Sequence, residues 1–99
     1  MATIGSFKKV GNDFQGEIVT LSLQAKGVRI VAETSRTNEN APSHRIYVGR
    51  AEIGAAWSKR SEEGRDYLSL KLDDPSFTGP VYATLVQSDN GEHKLFWSR

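Results

Sequence analysis

Apolar and polar residues alternate along most of the chain with the period of two that is typical of half-buried β-strands. The clearest example is DYLSLKL at residues 66–72, where leucines fall on one face and Tyr67, Ser69 and Lys71 fall on the other. The same alternation predicts strands at 16–25, 28–32, 44–49, 54–59, 81–87 and 93–98. In the first of these, the pattern places Val19, Leu21, Leu23 and Ala25 on one face. Because no stretch shows the 3.6-residue period of an amphipathic helix, the chain is predicted to be all-β.

Polar segments that contain glycine separate these runs and predict tight turns. They lie at Gly11–Asp13, Lys26–Gly27, Ser61–Gly64 and Ser88–Gly91. Asn90–Gly91 is the strongest hairpin signal, because type I′ turns favour that dipeptide. A single helical turn is predicted at Asp74–Phe77, where Asp precedes Pro as at a helix start. The turn spacing predicts a mainly antiparallel domain of about six to eight strands, either a curved sheet or a small barrel.

The length of 99 residues suits one hydrophobic core, so residues 1–99 are interpreted as a single β-rich domain. One segment does not fit the strand pattern. Residues 33–44 are polar, have no periodicity and contain Asn40-Ala41-Pro42. This segment is predicted to be a flexible loop.

The charges of the chain nearly balance, with 13 basic and 12 acidic residues and a net charge of +1. This excludes a polycation that binds nucleic acid by bulk charge, so any such binding must come from local clustering. The chain has no cysteine, which excludes disulfides, thiolate nucleophiles and sulfur-ligated metals. Because no apolar run reaches the length of a signal peptide or a membrane span, we expect a cytoplasmic protein with no membrane partner.

Residues that could support catalysis are few and scattered. Asp73 and Asp74 are neighbours, and on an extended chain neighbours point to opposite faces, so a strand end followed by a capped turn explains them. His44 and His93 lie in polar contexts without companions at metal-ligand or catalytic spacing, so both are expected to be solvated. Nucleophile-elbow and phosphate-loop motifs are missing. We therefore expect no catalytic residue, no metal, no cofactor and no enzyme activity.

A cluster of aromatic and basic residues is the remaining candidate site. It comprises Trp57, Lys59, Arg60, Arg65, Tyr67 and Lys71. If residues 54–59 pair with 65–72, their outward side chains would present aromatics among cations, a surface that suits single-stranded DNA or RNA. An alternative interpretation is an ordinary hairpin, with Trp57 in the core and Tyr67 at its rim. Glu62, Glu63 and Asp66 would partly neutralise the patch.

Several segments resemble the Domain of Unknown Function 736 family. They are MATIGSF, NAPSHRIYVG, EIGAAWSKRSEEGRDYLSLKLDDPSF and GEHKLFWSR. The likeness covers nearly the whole chain, and the block from GAAW to DDPSF is its most specific part. The resemblance implies a short, stand-alone bacterial cytoplasmic domain, of a kind often encoded on plasmids and integrative elements. It brings no activity, ligand or catalytic residue with it.

Two functional hypotheses follow. The first is an accessory module that binds single-stranded nucleic acid and is associated with mobile DNA. The alternative is a protein–protein interaction module or homodimer with no nucleic-acid binding. That second function would use an exposed strand edge or the aromatic residues Tyr47, Tyr82, Phe96 and Trp97.

Overall fold

Eight antiparallel β-strands close into a small barrel in the computed structural model, which describes residues 2–21, 24–33, 40–87 and 91–97. The strands are β1 (Ala2–Val10), β2 (Asp13–Val19), β3 (Gln24–Ala32), β4 (His44–Val48), β5 (Ala51–Arg60), β6 (Asp66–Leu72), β7 (Val81–Gln87) and β8 (His93–Trp97). Each strand pairs with the next in sequence, and β8 pairs with β1 to close the barrel. The predicted all-β fold is confirmed, with a small barrel as its form.

The inward faces of all eight strands meet in one apolar core. In β6 the predicted alternation is confirmed: Leu68, Leu70 and Leu72 are buried, and the residues between them are partly exposed. An eight-stranded barrel is just wide enough for side chains to fill its interior. The other buried residues are Ile4, Phe7, Phe14, Ile18, Ala25, Val28, Ile30, Ile46, Ile53, Ala56, Ala83, Leu85 and Leu95. No polar side chain is fully buried in the part of the chain that the structure describes.

The strand predicted at 16–25 is wrong. The chain turns between Val19, where β2 ends, and Gln24, where β3 begins. Ile18 and Ala25 are buried, whereas Val19 and Leu21 are exposed, and Leu23 lies outside the described residues. The pairing of Ile18 with Gly5 of β1 and Ala25 of β3 fixes this orientation. The sequence pattern could not choose it because Ile18 and Val19 are both apolar and β-branched.

Lys26–Gly27 is a β-bulge within β3 and not the predicted turn. The β2–β3 register shifts there, since Gly16 pairs with Val28 and Glu17 with Lys26. Gly27 is the extra residue and has a φ of 71°, a left-handed conformation that glycine adopts without strain. Of the other predicted turns, those at Gly11 and Ser61–Gly64 join consecutive strands. In the turn predicted at Ser88–Gly91, the residues Ser88, Asp89 and Asn90 lie outside the described residues.

One end of the barrel is closed by apolar side chains. The segment between β6 and β7 folds into a single turn in which the Phe77 N–H donates to the Asp74 carbonyl at 2.9 Å. It is an isolated turn and not the predicted helical one, although the Asp74 carboxylate does accept the backbone N–H of Ser76 at 2.9 Å, as a cap would. The turn packs Phe77 against the core beside Val48, Val81 and Trp97. These four residues form what we call the closed end.

The predicted loop at 33–44 is fixed at both of its described edges. The Glu33 N–H donates to the Ser43 carbonyl at 2.8 Å, and the Ser43 N–H donates to the Ala56 carbonyl of β5 at 2.9 Å. The predicted flexibility concerns mainly residues 34–39, which lie outside the described residues. Across the described ranges no helix is long and apolar enough to cross a membrane.

Candidate functional site at the open end of the barrel

Among the described residues, the end of the barrel opposite Phe77 is open, and we call it the mouth. Here the chain enters β2, β4, β6 and β8 and leaves β1, β3, β5 and β7. A cavity of about 690 Å³ lies at the mouth. Residues that line it include Lys9, Phe14, His44, Ser58, Arg60 and His93. Its volume lies within the range of about 300–1,000 Å³ that is typical of small-molecule sites.

An aromatic cluster belongs to this cavity. Phe14 is part of the core, and its ring centroid lies 4.8 Å from that of His93 in an edge-to-face arrangement and 6.0 Å from that of His44. The register brings these residues together, because His44 pairs with Ala32 of β3, and His93 pairs with Gln87 of β7 and Phe7 of β1. The prediction that both histidines are isolated and solvated is therefore wrong. Both are half-buried against one phenylalanine.

Both histidines favour the neutral form. Burial is the main cause that lowers the pKa of His44 below its usual 6.5, although a hydrogen bond with the Asn12 backbone and the charge of Asp13 oppose it. Burial also lowers the pKa of His93, and the nearby Lys9 charge adds to the effect. A neutral imidazole has one donor and one acceptor nitrogen. His44 already hydrogen-bonds the Ser43 hydroxyl and the Asn12 backbone, so the two rings offer the cavity mainly their faces and little charge.

A hydroxyl network holds His44 in place. The Oγ of Ser43 and the Nδ1 of His44 are hydrogen-bonded at 2.8 Å. Ser58 donates to the same Ser43 oxygen twice, from its backbone N–H at 2.9 Å and from its hydroxyl at 3.1 Å. His44 is thereby tied to β5, and the position of its ring is set by two strands.

Charged side chains lie at the rim of the mouth. Lys9 pairs with Phe14 across β1 and β2, and Arg60 pairs with Asp66 across β5 and β6. The Arg60 Nε donates to the Asp66 carboxylate at 3.1 Å, but both side chains are more than two-thirds exposed. Ion pairs as exposed as this one contribute about 0–1 kcal/mol, so Arg60 is easily recruited by another anion.

The predicted hairpin of β5 and β6 is confirmed, and its register orients the sequence-predicted site. Lys59 pairs with Tyr67, Trp57 with Ser69, and Ala55 with Lys71. These pairs alternate with the buried pair Ala56 and Leu70, so they lie on the outer face of the barrel. Four of the six candidates, Trp57, Lys59, Tyr67 and Lys71, therefore share one face.

The remaining two candidates lie beside that face. Arg60 belongs to the opposite, inward alternation at the mouth, and Arg65 lies in the exposed connection between β5 and β6. Lys59, Arg60 and Tyr67 also line the mouth cavity. The outer β5–β6 face and the mouth therefore meet along one edge, an arrangement that the sequence did not predict.

Trp57 is half-buried and does not belong to the core. Its indole N–H donates to the Asn40 carbonyl at 3.0 Å, which ties the ring to the end of the 33–44 segment. The contact uses only the edge of the indole, and Tyr67 is the one of the two aromatics that also lines the mouth.

Sequence reasoning missed Lys9, Phe14 and the two histidines as members of one site. The available signal was that His44 and His93 each begin an even-numbered strand, and in an up-and-down barrel those strands all begin at the same end. In the described ranges, no group of three or more His, Asp or Glu side chains is arranged to hold a metal ion.

Comparison with known proteins gives one match. No curated protein sequence and no solved structure matches the chain. The family described as "Protein of unknown function (DUF736)" matches residues 3–99, which is nearly the whole length. The resemblance seen in the sequence is thereby confirmed, and the chain belongs to the DUF736 family.

Proposed function

We propose that this domain binds single-stranded nucleic acid on the outer face of β5 and β6 and along the adjoining rim of the mouth. The observation that carries the proposal is the direct pairing of Lys59 with Tyr67 on that face. A single strand offers a partner to each side chain, a base that stacks on the ring and a phosphate that meets the cation.

On this face, base stacking and phosphate contacts would both contribute to binding. Tyr67 is half-buried, so part of its ring is packed and part is accessible for a base to stack on. Lys59 lies across from Tyr67, Arg65 precedes it in the connection, and Lys71 lies four residues further along β6. These cations supply phosphate contacts, and Arg60 joins them by exchanging Asp66 for a phosphate. Glu62 and Glu63 in the connecting turn reduce the local positive charge. Binding is therefore weak and depends little on base sequence.

The proposed role is accessory and non-catalytic, and it uses no metal or cofactor. The family resemblance adds its context. It implies bacterial cytoplasmic domains that are often encoded on plasmids and integrative elements. Single strands arise when such elements are transferred or replicated, so a weak, sequence-tolerant module suits that setting.

Self-association without nucleic-acid binding is the alternative. A closed barrel has no free sheet edge among its described strands, which argues against association by strand pairing. The aromatic residues that could form an interface are divided: Trp97 packs against the core, and the Tyr47 ring lies 5.5 Å from the Arg29 guanidinium. Only Tyr82, which is 58% exposed, and Phe96 remain on a shared outer face.

The salt dependence of binding tests the proposal. A fluorescently labelled oligonucleotide should bind at low salt, and log K should fall by about 2–3 per decade of salt, since each of three to four phosphate contacts contributes about 0.7. Lys59→Gln should reduce that slope by about 0.7. Lys26→Gln is the matched control, because Lys26 is exposed on β3.

Two outcomes would contradict the proposal: no detectable binding at low salt, or equal loss of slope in the Lys26 and Lys59 variants. Light scattering on the same sample tests the alternative. A stable dimer that Tyr82→Ala dissociates, together with absent oligonucleotide binding, would favour self-association.

A further inference from the structure

We propose that the mouth cavity is a binding site for one nucleobase that carries a phosphate. The ligand is either a free nucleotide or a single base of a bound strand, and in the second form the inference rests on the function proposed above. The β5–β6 face would then guide the strand, and the cavity would hold one base taken out of it.

The aromatic cluster suits a planar ring. Phe14, His44 and His93 place three rings around one cavity, with Phe14 at van der Waals range of His93. Flat heterocycles gain affinity from stacked or edge-on contacts with such rings. An aliphatic ligand would bury apolar surface here but would gain no ring–ring contact.

The hydrogen-bonding groups suit the edge of a nucleobase. Asn12 and Gln87 line the cavity and offer amide donors and acceptors beside the two imidazoles. The Nδ1 atom of His93 is buried below the cavity surface and out of reach of a ligand, so the two amides supply these contacts.

The charges at the rim select an anion. Lys9, Lys59 and Arg60 line the cavity, and Asp66 is the acidic residue among the lining side chains. Asp66 is already paired with Arg60. The excess of positive charge favours a phosphate-bearing base over a neutral or cationic heterocycle.

The position of the cavity connects it to the strand-binding face. Lys59 and Tyr67 belong both to the outer β5–β6 face and to the lining of the mouth. A single strand that crosses Tyr67 therefore passes the opening, and turning one base inward requires only local unstacking, which costs little in a strand that is already unpaired.

The two histidines provide a direct readout. Because the chain has only two, imidazole NMR signals can be assigned with one substitution, His44→Gln. A nucleoside monophosphate should shift the signals of both rings in the unmodified protein. The matching nucleoside and inorganic phosphate, tested separately, should bind at least about tenfold more weakly, because each lacks either the charged or the stacking part.

A blocking variant and its control localise the effect. Gln87→Trp places a large ring in the mouth from an exposed position at the end of β7, and it should weaken nucleotide binding by about tenfold or more. Gln15→Trp adds the same ring on β2 at an exposed residue that does not line the cavity, and it should leave binding unchanged. Lys9→Gln provides a second test that adds no bulk, and circular dichroism verifies that each variant is folded.

The outcomes separate this inference from the proposed function. Equal shifts with inorganic phosphate alone, or undiminished nucleotide binding in both the Gln87 and Lys9 variants, would overturn the nucleobase site. If an oligonucleotide binds without moving either histidine signal and a nucleotide does not bind, the nucleobase site is overturned. The strand-binding face is then still supported. Nucleotide binding at the mouth without oligonucleotide binding would support the cavity site and overturn the proposed function.

Discussion

The closed end and the mouth of the barrel are formed by the same eight strands but end in opposite kinds of side chain. At the closed end, Val48, Phe77, Val81 and Trp97 pack on the core. At the mouth, polar residues such as His44 and His93 occupy inward-facing positions beside Phe14. One end therefore contributes to stability by apolar burial, whereas the other presents groups that are only half-buried.

This difference shows where a small barrel can place a site at low cost. A fully buried polar side chain costs stability unless it is paired, and the described residues include no polar side chain that is buried as a whole. At the mouth, solvent still reaches the histidines and the rim charges, so the penalty is reduced. Substitutions at the core and the closed end should therefore affect folding, and substitutions at the mouth should affect binding.

The largest effect is expected in the core between the two ends. Leu70→Ala removes a side chain that is 1% exposed and should lower the free energy of unfolding by about 2–5 kcal/mol. Gln87→Ala at the mouth should change it by less than about 0.5 kcal/mol. Chemical denaturation of both variants measures the contrast, and equal destabilisation would contradict it.

Phe77→Ala tests the closed end itself. Because Phe77 is only partly buried, the free energy of unfolding should decrease by less than the about 3–5 kcal/mol expected for a fully buried phenylalanine. Oligonucleotide affinity should stay unchanged. Thermal melting and anisotropy on the same preparation provide the test. A loss of binding in the folded variant would show that the two ends are not independent.

Tyr67→Ala tests whether a residue beside the mouth affects binding and not folding. The variant should lose about 1–3 kcal/mol of oligonucleotide binding, with a melting temperature near that of the unmodified protein. Tyr82→Ala removes an exposed tyrosine on β7 and serves as the control. If Tyr67→Ala lowers the melting temperature but leaves oligonucleotide affinity unchanged, the role of Tyr67 is purely structural.

The smallest effect concerns pH. The folded state lowers the pKa of His44 and His93, so the unfolded chain binds more protons as pH falls through about 6.5. The stability contributed by the neutral histidines is present above that pH and is lost below it. The melting temperature should therefore decrease between about pH 7.5 and about pH 5.5. His93→Gln should weaken this dependence of the melting temperature on pH. An equally steep decrease in that variant would contradict the role assigned to His93.

Local signals in the sequence predicted the hairpin of β5 and β6 correctly. In β6 leucines occupy all three buried positions, and the turn before it is short, so alternation alone gives the faces. The face of Ile18 could not be predicted, because its apolar neighbour Val19 allows either orientation and the bulge at Gly27 has no separate sequence signal. The mouth was missed for a different reason. His44 and His93 meet Phe14 only through the register of strands that are distant in sequence, so their proximity follows only once the up-and-down order of the barrel is assumed.

The pairing of β1 with β8 has a consequence for how the chain folds. Every other pairing in the barrel joins consecutive strands, which can form as soon as both have been synthesised. The β1–β8 pairing instead joins residues near 2–7 to residues near 93–97, so β1 has only one partner strand until translation reaches β8. Long-range closures of this kind must overcome loop entropy before their contacts form, and they slow folding. A nascent chain would therefore expose the edge of β1 until the barrel closes.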